Sequence, residues 1–290
     1  MGQLDFKYRM LRDMRIANEE VAKGERFGFG ANWARFLKSL NDDRICMAQN
    51  SLKQLLEIDD LSGKTFLDVG SGSGLFSLAA RRLSATVHSF DYDTQSVACT
   101  AELKRRYFPD DSRWIVEQGS VLDSEYLQHL GQYDVVYSWG VLHHTGAMWQ
   151  ALGNVAPLVS RSGRLFIAIY NDQGHKSRRW AWVKRNYNER PWSRPFLLTL
   201  GLMRAWGISI LLDFKHLRPF ASWRQYHRER GMSPWWDVVD WIGGWPFEVA
   251  TPDAIFKFYR DRGFVLRNLI TRQGYGCNEF VFLRKWSLQK

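Results

Sequence analysis

The sequence predicts an α/β fold built on a parallel, doubly wound sheet. Three observations predict it. Between residues 61 and 170, short apolar runs alternate with stretches of helical spacing. Strand and helix taking turns in this way marks parallel strands joined by crossovers. A glycine-rich loop, Gly70-Ser71-Gly72-Ser73-Gly74, joins the first run to the first helix of that zone. An acid, Asp91, ends the second run.

The elements follow in order. Residues 1–60 form a polar, helical N-terminal segment, interrupted by Phe27-Gly28-Phe29-Gly30-Ala31-Asn32-Trp33. Its last helix spans 45–56, with Ile45, Ala48, Leu52, Leu55 and Leu56 near helical spacing. The core, 61–170, opens with a strand over 65–69 and a helix over 75–83. A strand over 85–90 then reaches Asp91, followed by a helix over 94–107 and a strand over 114–117. A strand over 133–138, a helix over 148–159 and a strand over 164–170 complete it. Residues 171–250 break the rhythm and read as an inserted cap. Residues 251–290 return to regularity, with a helix over 252–262 that Gly263 closes. Paired strands over 264–269 and 280–284 then flank Gln273-Gly274-Tyr275-Gly276.

Composition narrows the class. With 45% hydrophobic and 24% charged residues, the 290-residue chain is neither largely disordered nor collagen-like. Cys46, Cys99 and Cys277 have no C-x-x-C spacing, which argues against a zinc ribbon or a redox pair and suits a reducing compartment. The first residues are polar and charged, so no secretory signal is expected. Gly2 is followed by Phe6 where myristoylation wants Ser or Thr. A cytoplasmic location is expected. The net charge of +10 points to phosphates, nucleic acid or an anionic membrane, against the plain alternative of a basic protein with no acidic partner. Most of that excess, and nine of the 14 tryptophans, fall in the cap.

Glycines after a strand let the backbone turn sharply and let a ligand approach its N–H groups. An acid at the end of the next strand can accept both hydroxyls of a ribose. The rival is a dinucleotide site, which needs G-x-G-x-x-G. Counted from Gly70 the sixth position is Leu75, and counted from Gly72 it is Ser77. The loop instead reads G-x-G-x-G with Asp68 two residues upstream. An acid there suits an ammonium better than a pyrophosphate. Adenosine with an amino-acid tail fits, with ribose on Asp91, ammonium near Asp68 or the loop carbonyls, and adenine against Tyr92.

These residues carry a resemblance. The chain resembles the class I S-adenosylmethionine (SAM)-dependent methyltransferases. The segment from Asp68 through Gly70, Ser71 and Gly72 to Gly74 is similar to the family's first motif, and Phe90-Asp91-Tyr92 to its ribose-binding acid. Gln118-Gly119-Ser120-Val121 resembles the segment that touches adenine, with Ser120 where many members have Asp. Trp139-Gly140-Val141-Leu142-His143-His144 resembles the segment after the fourth strand in the ubiquinone and small-molecule branch. The resemblance implies a Rossmann-like, seven-stranded sheet, completed by residues 251–290, and SAM as cofactor. Trp33 is the candidate lid over SAM, its ring favoured beside a sulfonium, or else a packing residue.

Methyl transfer to a hydroxyl needs a base, and histidine titrates near working pH. His143 and His144 stand just past the fourth strand, where such sheets place their ligands. Either can be the base, with His143 favoured, or cap a helix instead. Tyr170 and Asn171, after the fifth strand, and Asn32 beside Trp33 are candidates for contact with the acceptor. No metal site is expected. The tryptophans of the cap suit an apolar or ring-shaped acceptor. Residues 196–212 are nearly long enough to span a membrane, but Arg204 interrupts them. They read as a buried cap helix, as an element resting on anionic lipid, or as part of a surface for RNA. The expected function is methyl transfer from SAM to a small-molecule or lipid-linked acceptor, most simply at oxygen. An RNA methyltransferase and a non-catalytic SAM-binding protein are the alternatives.

Overall fold

The computed structural model describes residues 16, 17, 19–230, 234–274 and 276–285. The first residues of the chain, with Gly2 and Phe6, and Tyr275 lie outside the described residues.

Seven strands form one sheet: β1 (Thr65–Val69), β2 (Thr86–Asp91), β3 (Trp114–Gln118), β4 (Tyr133–Trp139), β5 (Val159–Tyr170), β6 (Phe264–Ile270) and β7 (Cys277–Arg284). Their order is β3-β2-β1-β4-β5-β7-β6. The first five run parallel, and β7 enters antiparallel between β5 and β6. The order reverses between β1 and β4, and ligands of open sheets bind outside the carboxyl ends at such a point.

Alternate side chains serve opposite faces, as the two-residue period of a strand demands. Phe66, Val135 and Phe166 pack under α2 (Asp42–Leu56), α3 (Leu75–Arg82) and α4 (Thr94–Tyr107). Here α1 (Gly30–Phe36) precedes α2 and also lies against α4. Leu67, Val136 and Leu165 face the other way, toward α6 (Met148–Val155) and α11 (Pro252–Arg260). Between β3 and β4 lies α5 (Ser124–Leu130), which the sequence reading missed. It is a single short helix whose cap, Asp123, accepts from the N–H groups of Glu125 and Tyr126.

Two boundaries move for physical reasons. The helix expected over 148–159 stops at Val155, because Pro157 in the following turn lacks a donor. The fifth strand starts at Val159 rather than 164. Its first pair, Tyr133 with Val159, is separated from the next, Val135 with Arg164, by a register shift at a left-handed Ser162 (φ 60°).

The cap is four helices: α7 (His175–Glu189), α8 (Arg194–Lys215), α9 (Ala221–Arg230) and α10 (Pro234–Gly243). Tyr187, Leu197, Val238 and Ile242 make a second, smaller core, with Phe27, Trp180 and Trp241 against it. Gly201 lets α8 approach α10, since a Cβ there would stand 2.2 Å from Ile242 Cδ1. The chain then returns to the edge of the sheet. The Glu248 N–H donates to the His143 carbonyl (3.0 Å), and the Ala250 N–H donates to the Tyr170 carbonyl (3.1 Å).

Replacing Gly201 with valine forces these helices apart. We expect Gly201→Val to weaken the cap by about 1–3 kcal/mol, the usual cost of overpacking. Limited proteolysis should then nick residues 171–250 while the sheet stays protected; a cap as resistant as the native one would contradict this packing.

Candidate active site

β1 runs into Gly70, Gly72 and Gly74, which take φ values of 79°, 54° and 80°. Space decides these positions as much as dihedral freedom. A Cβ at Gly70 would lie 2.4 Å from Val141 Cγ1, and one at Gly72 would lie 3.1 Å from the Trp33 indole. The N–H groups of Gly70 and Ser71 donate to the Phe90 carbonyl at 2.9 and 3.1 Å. The Gly72 N–H donates to Asp91 Oδ2 and the Asp93 N–H to Asp91 Oδ1, each at 2.9 Å. Burial pushes the Asp91 carboxyl up to about 6, against the pull of these two donors.

Other residues of the loop region have local duties. Asp68 is 2% exposed and accepts from Ser77 Oγ, rather than standing at the loop's mouth beside an ammonium. Burial pushes it up to about 7. Ser71 Oγ pairs with Thr100 Oγ1 at 2.9 Å. Ser120 Oγ accepts from the Leu122 N–H, and Val121 is buried in the core. Tyr92 donates its hydroxyl to Glu20, and the Arg26 guanidinium lies 4.8 Å from its ring. Trp139 is half exposed, with its Nε1–H toward Glu279. Gln118 is the informative one. Its amide NH₂ donates to the Tyr92 carbonyl at 3.2 Å, and its Oε1 is buried with no partner among the described residues.

This set fits adenosine with an amino-acid tail. Asp91 offers a carboxylate to ribose hydroxyls, Gln118 Oε1 offers a bare acceptor to an exocyclic amine, and Trp33 covers Gly72. The acceptor that Ser120 lacks relative to the family pattern stands two residues earlier.

A second cluster stands beside the loop, past Val141. His143 is fully buried, and among the described residues neither ring nitrogen has a hydrogen-bond partner. Its ring centroid lies 4.1 Å from that of Tyr170 and 4.5 Å from that of His144. Burial holds His143 well below the usual histidine range, with His144 and Lys184 adding to the effect; the Ala168 backbone stands near enough to oppose it but makes no well-formed hydrogen bond to the ring. His144 differs, since its Nδ1 pairs with the Pro246 carbonyl at 2.6 Å. That bond makes Nδ1 the protonated nitrogen and ties the sheet edge to the cap. Burial lowers His144 to about 3. Burial raises the Tyr170 phenol far above its ordinary value. Trp241 and Phe247 enclose Tyr170 at 5.5 and 5.3 Å.

Residues 67–165 match the family described as Methyltransferase domain. That match takes in about a third of the chain and lies within its sheet core. Among curated relatives, the tRNA U34 carboxymethyltransferase of Klebsiella pneumoniae is 35% identical over 109 residues, covering 36% of this chain and 31% of its own. The ubiquinone biosynthesis O-methyltransferase of Escherichia coli is 31% identical over 116 residues, covering 39% and 46%. The chain therefore matches a third to a half of these relatives' length. Among solved structures, magnesium protoporphyrin IX methyltransferase from Synechocystis PCC 6803 with bound SAM shares the fold at TM-score 0.54. It is 14% identical, with 94% of this chain and 97% of that chain covered. The matched methyltransferase segment holds the glycine loop, Asp91, Gln118 and His143, while the cap lies wholly outside it.

Two expected contacts are spent elsewhere. Asn32 donates to Asp240 and accepts from Arg35, which bolts α1 to the cap. Asn171 donates to the Arg272 carbonyl and accepts from Asn278, which pins the last hairpin. The sequence reading also missed Lys184 and Asp240. Lys184 is fully buried, bonded to the Trp241 carbonyl and 4.3 Å from the Trp241 ring centroid. Burial brings Lys184 down and Asp240 up, each to about 7. Among the described residues, no group of three His, Cys, Asp or Glu is placed to hold a metal ion.

Asp91→Asn should weaken SAM binding by roughly 10- to 100-fold, the range of a lost charge-assisted pair of hydrogen bonds. Isothermal titration checks this, and undiminished affinity would remove Asp91 from the ribose site. Asp68 has a pH signature. Between its ordinary 3.8 and about 7, the folded chain keeps a proton that the unfolded chain has shed. Stability from this group therefore falls as pH rises through that window. Urea midpoints at pH 5 and pH 8 should differ less in Asp68→Asn than in the native chain.

Proposed function

We propose that the chain transfers a methyl group from SAM to a hydroxyl of a small-molecule or lipid-linked acceptor held beneath the cap, with His143 as general base. The observation that carries this reading is His143 itself. Its two ring nitrogens have no partner among the described residues, and in a fully buried site that is costly unless something uses them. They sit two residues past Val141, which touches the glycine loop.

SAM supplies a methyl group that its sulfonium makes electrophilic. The acceptor hydroxyl must lose its proton as it attacks. A neutral imidazole takes it, and burial keeps His143 neutral until then. Tyr170 stays a protonated phenol and, with Trp241 and Phe247, forms an aromatic wall that excludes water. Such a wall suits a ring or an isoprenoid chain. Holding the two reactants in line supplies much of the rate. A cytoplasmic chain in contact with an anionic membrane accompanies this reading and suits a lipid-linked acceptor. Methyl transfer to RNA is the second reading, supported by the net charge of +10.

The test begins with calorimetric titration of SAM, with NAD as control, since tight NAD binding would sink the loop assignment. Methyl-labelled SAM is then offered with prenylated quinols, with lipid-linked sugars and with total tRNA. Label in the first two supports the proposal, and label in tRNA alone overturns the acceptor class. With a labelled acceptor in hand, His143→Gln should slow turnover about 100-fold or more while leaving SAM affinity unchanged. Native turnover would exclude His143 from the chemistry.

A further inference from the structure

Helix α8 is apolar on its outward side as well as its inward one. Leu197 and Gly201 face the cap core, as a cap helix requires. Yet Phe196, Leu200, Met203, Leu211 and Phe214 are 66, 44, 57, 71 and 52% exposed. Their spacing puts them on one stripe that runs most of the helix length, about 33 Å at 1.5 Å per residue. Within Pro191–Lys215, the most apolar 18-residue window has a mean hydropathy of 1.6, yet only 6% of that window is buried. The stripe continues past both ends, with Trp192 at 77% and Leu217 at 90% exposure.

A spanning orientation does not suit this helix. Its inner side is packed on α10 through Gly201, and Arg204 lies midway along it. A helix lying in the plane of a membrane surface keeps that packing and buries the outer stripe.

Beside the stripe, a cleft of about 340 Å³ opens between α7 and α8. It is lined by His175, Lys176, Arg179, Trp180, Val183 and Arg204, so three fixed cations stand along it. The two acids of these helices are used elsewhere. Glu189 pairs with Arg185, and buried Asp213 accepts from the backbone and hydroxyl of Ser222. Cations above an apolar stripe match the layering of a bilayer, with phosphate above acyl chain.

We propose that α7 and α8 dock the chain on an anionic phospholipid bilayer, the α8 stripe among the acyl chains and the Lys176–Arg179–Arg204 cleft on a lipid phosphate. The proposal deepens the membrane contact proposed above and does not depend on the acceptor or on His143.

The test is co-sedimentation of the full chain with vesicles of phosphatidylcholine, alone or mixed with phosphatidylglycerol. We expect at least tenfold more binding to the mixed vesicles, declining with salt. The double variant Lys176→Glu, Arg179→Glu should lose that preference. The double variant Leu211→Ser, Phe214→Ser should lose binding at any salt. All four side chains lie on the surface, and unchanged SAM affinity in each variant shows that the fold and cofactor site are intact. Three results would overturn the proposal. The chain ignores mixed vesicles, even if it binds inorganic phosphate. Neither double variant changes the binding. Or, without lipid, the chain sediments as a dimer that Leu211→Ser, Phe214→Ser dissociates, which would give the stripe to a second copy. Loss of SAM binding in the native chain would instead sink the catalytic reading and leave vesicle binding to be judged by itself.

Discussion

A run of buried hydrogen bonds holds the geometry on which the rest depends. Asp68 accepts from Ser77, Ser77 pairs with Ser89 at 2.7 Å, and the Trp114 indole donates to Ser89 at 2.9 Å. These four residues belong to β1, α3, β2 and β3, so the run pins one helix to three strands at once. In a low-dielectric interior a polar group without its partner is expensive, which leaves the elements one relative position. With α3 anchored, the glycine loop has one shape, and its amides meet Phe90 and Asp91. The cost falls on Asp68, whose carboxyl is buried without a basic partner.

Much of this was legible in the chain. The strand over 65–69, the helix over 94–107 and the acid at the end of β2 follow from local pattern, and the structure has them where the pattern puts them. What escaped depends on contacts between distant segments. Helix α5 buries only Leu127 and so has almost no periodicity to read. The early start of β5 hides behind Ser160-Arg161-Ser162-Gly163, which looks like a turn and is in fact a kinked stretch of strand. At the site, the sequence favours His143 over its neighbour only through a resemblance, without showing what either ring touches. Only the Pro246 carbonyl, a hundred residues away, separates His144 the tie from His143 the unpartnered ring. Gln118 gains its meaning in the same way, because its amide is oriented by the Tyr92 carbonyl.

The cap shows how misleading composition can be about individual residues. Its basic surplus reads as a charged surface, and for Lys176 and Arg179 it is one. Lys184 belongs to the same surplus and is wholly inside, among Trp241 and Phe247. The tryptophans likewise divide. Trp180 and Trp241 pack edge to face over the second core, while Trp182 and Trp192 are open to solvent. One segment thus carries both a buried aromatic cluster and an outward apolar surface, and no count of residue types separates the two.

Helix α1 touches both the glycine loop and the cap within two consecutive residues. Trp33 rests on Gly72 of the cofactor loop, and Asn32 is bonded to Asp240 of the cap. One latch therefore serves two doors. With the donor on the loop and the acceptor beneath the cap, as proposed, lifting the helix for either one would loosen the seat of the other. Such an arrangement favours a strict order of events, with the donor seated before the latch drops and the spent donor leaving only after the methylated product has been freed.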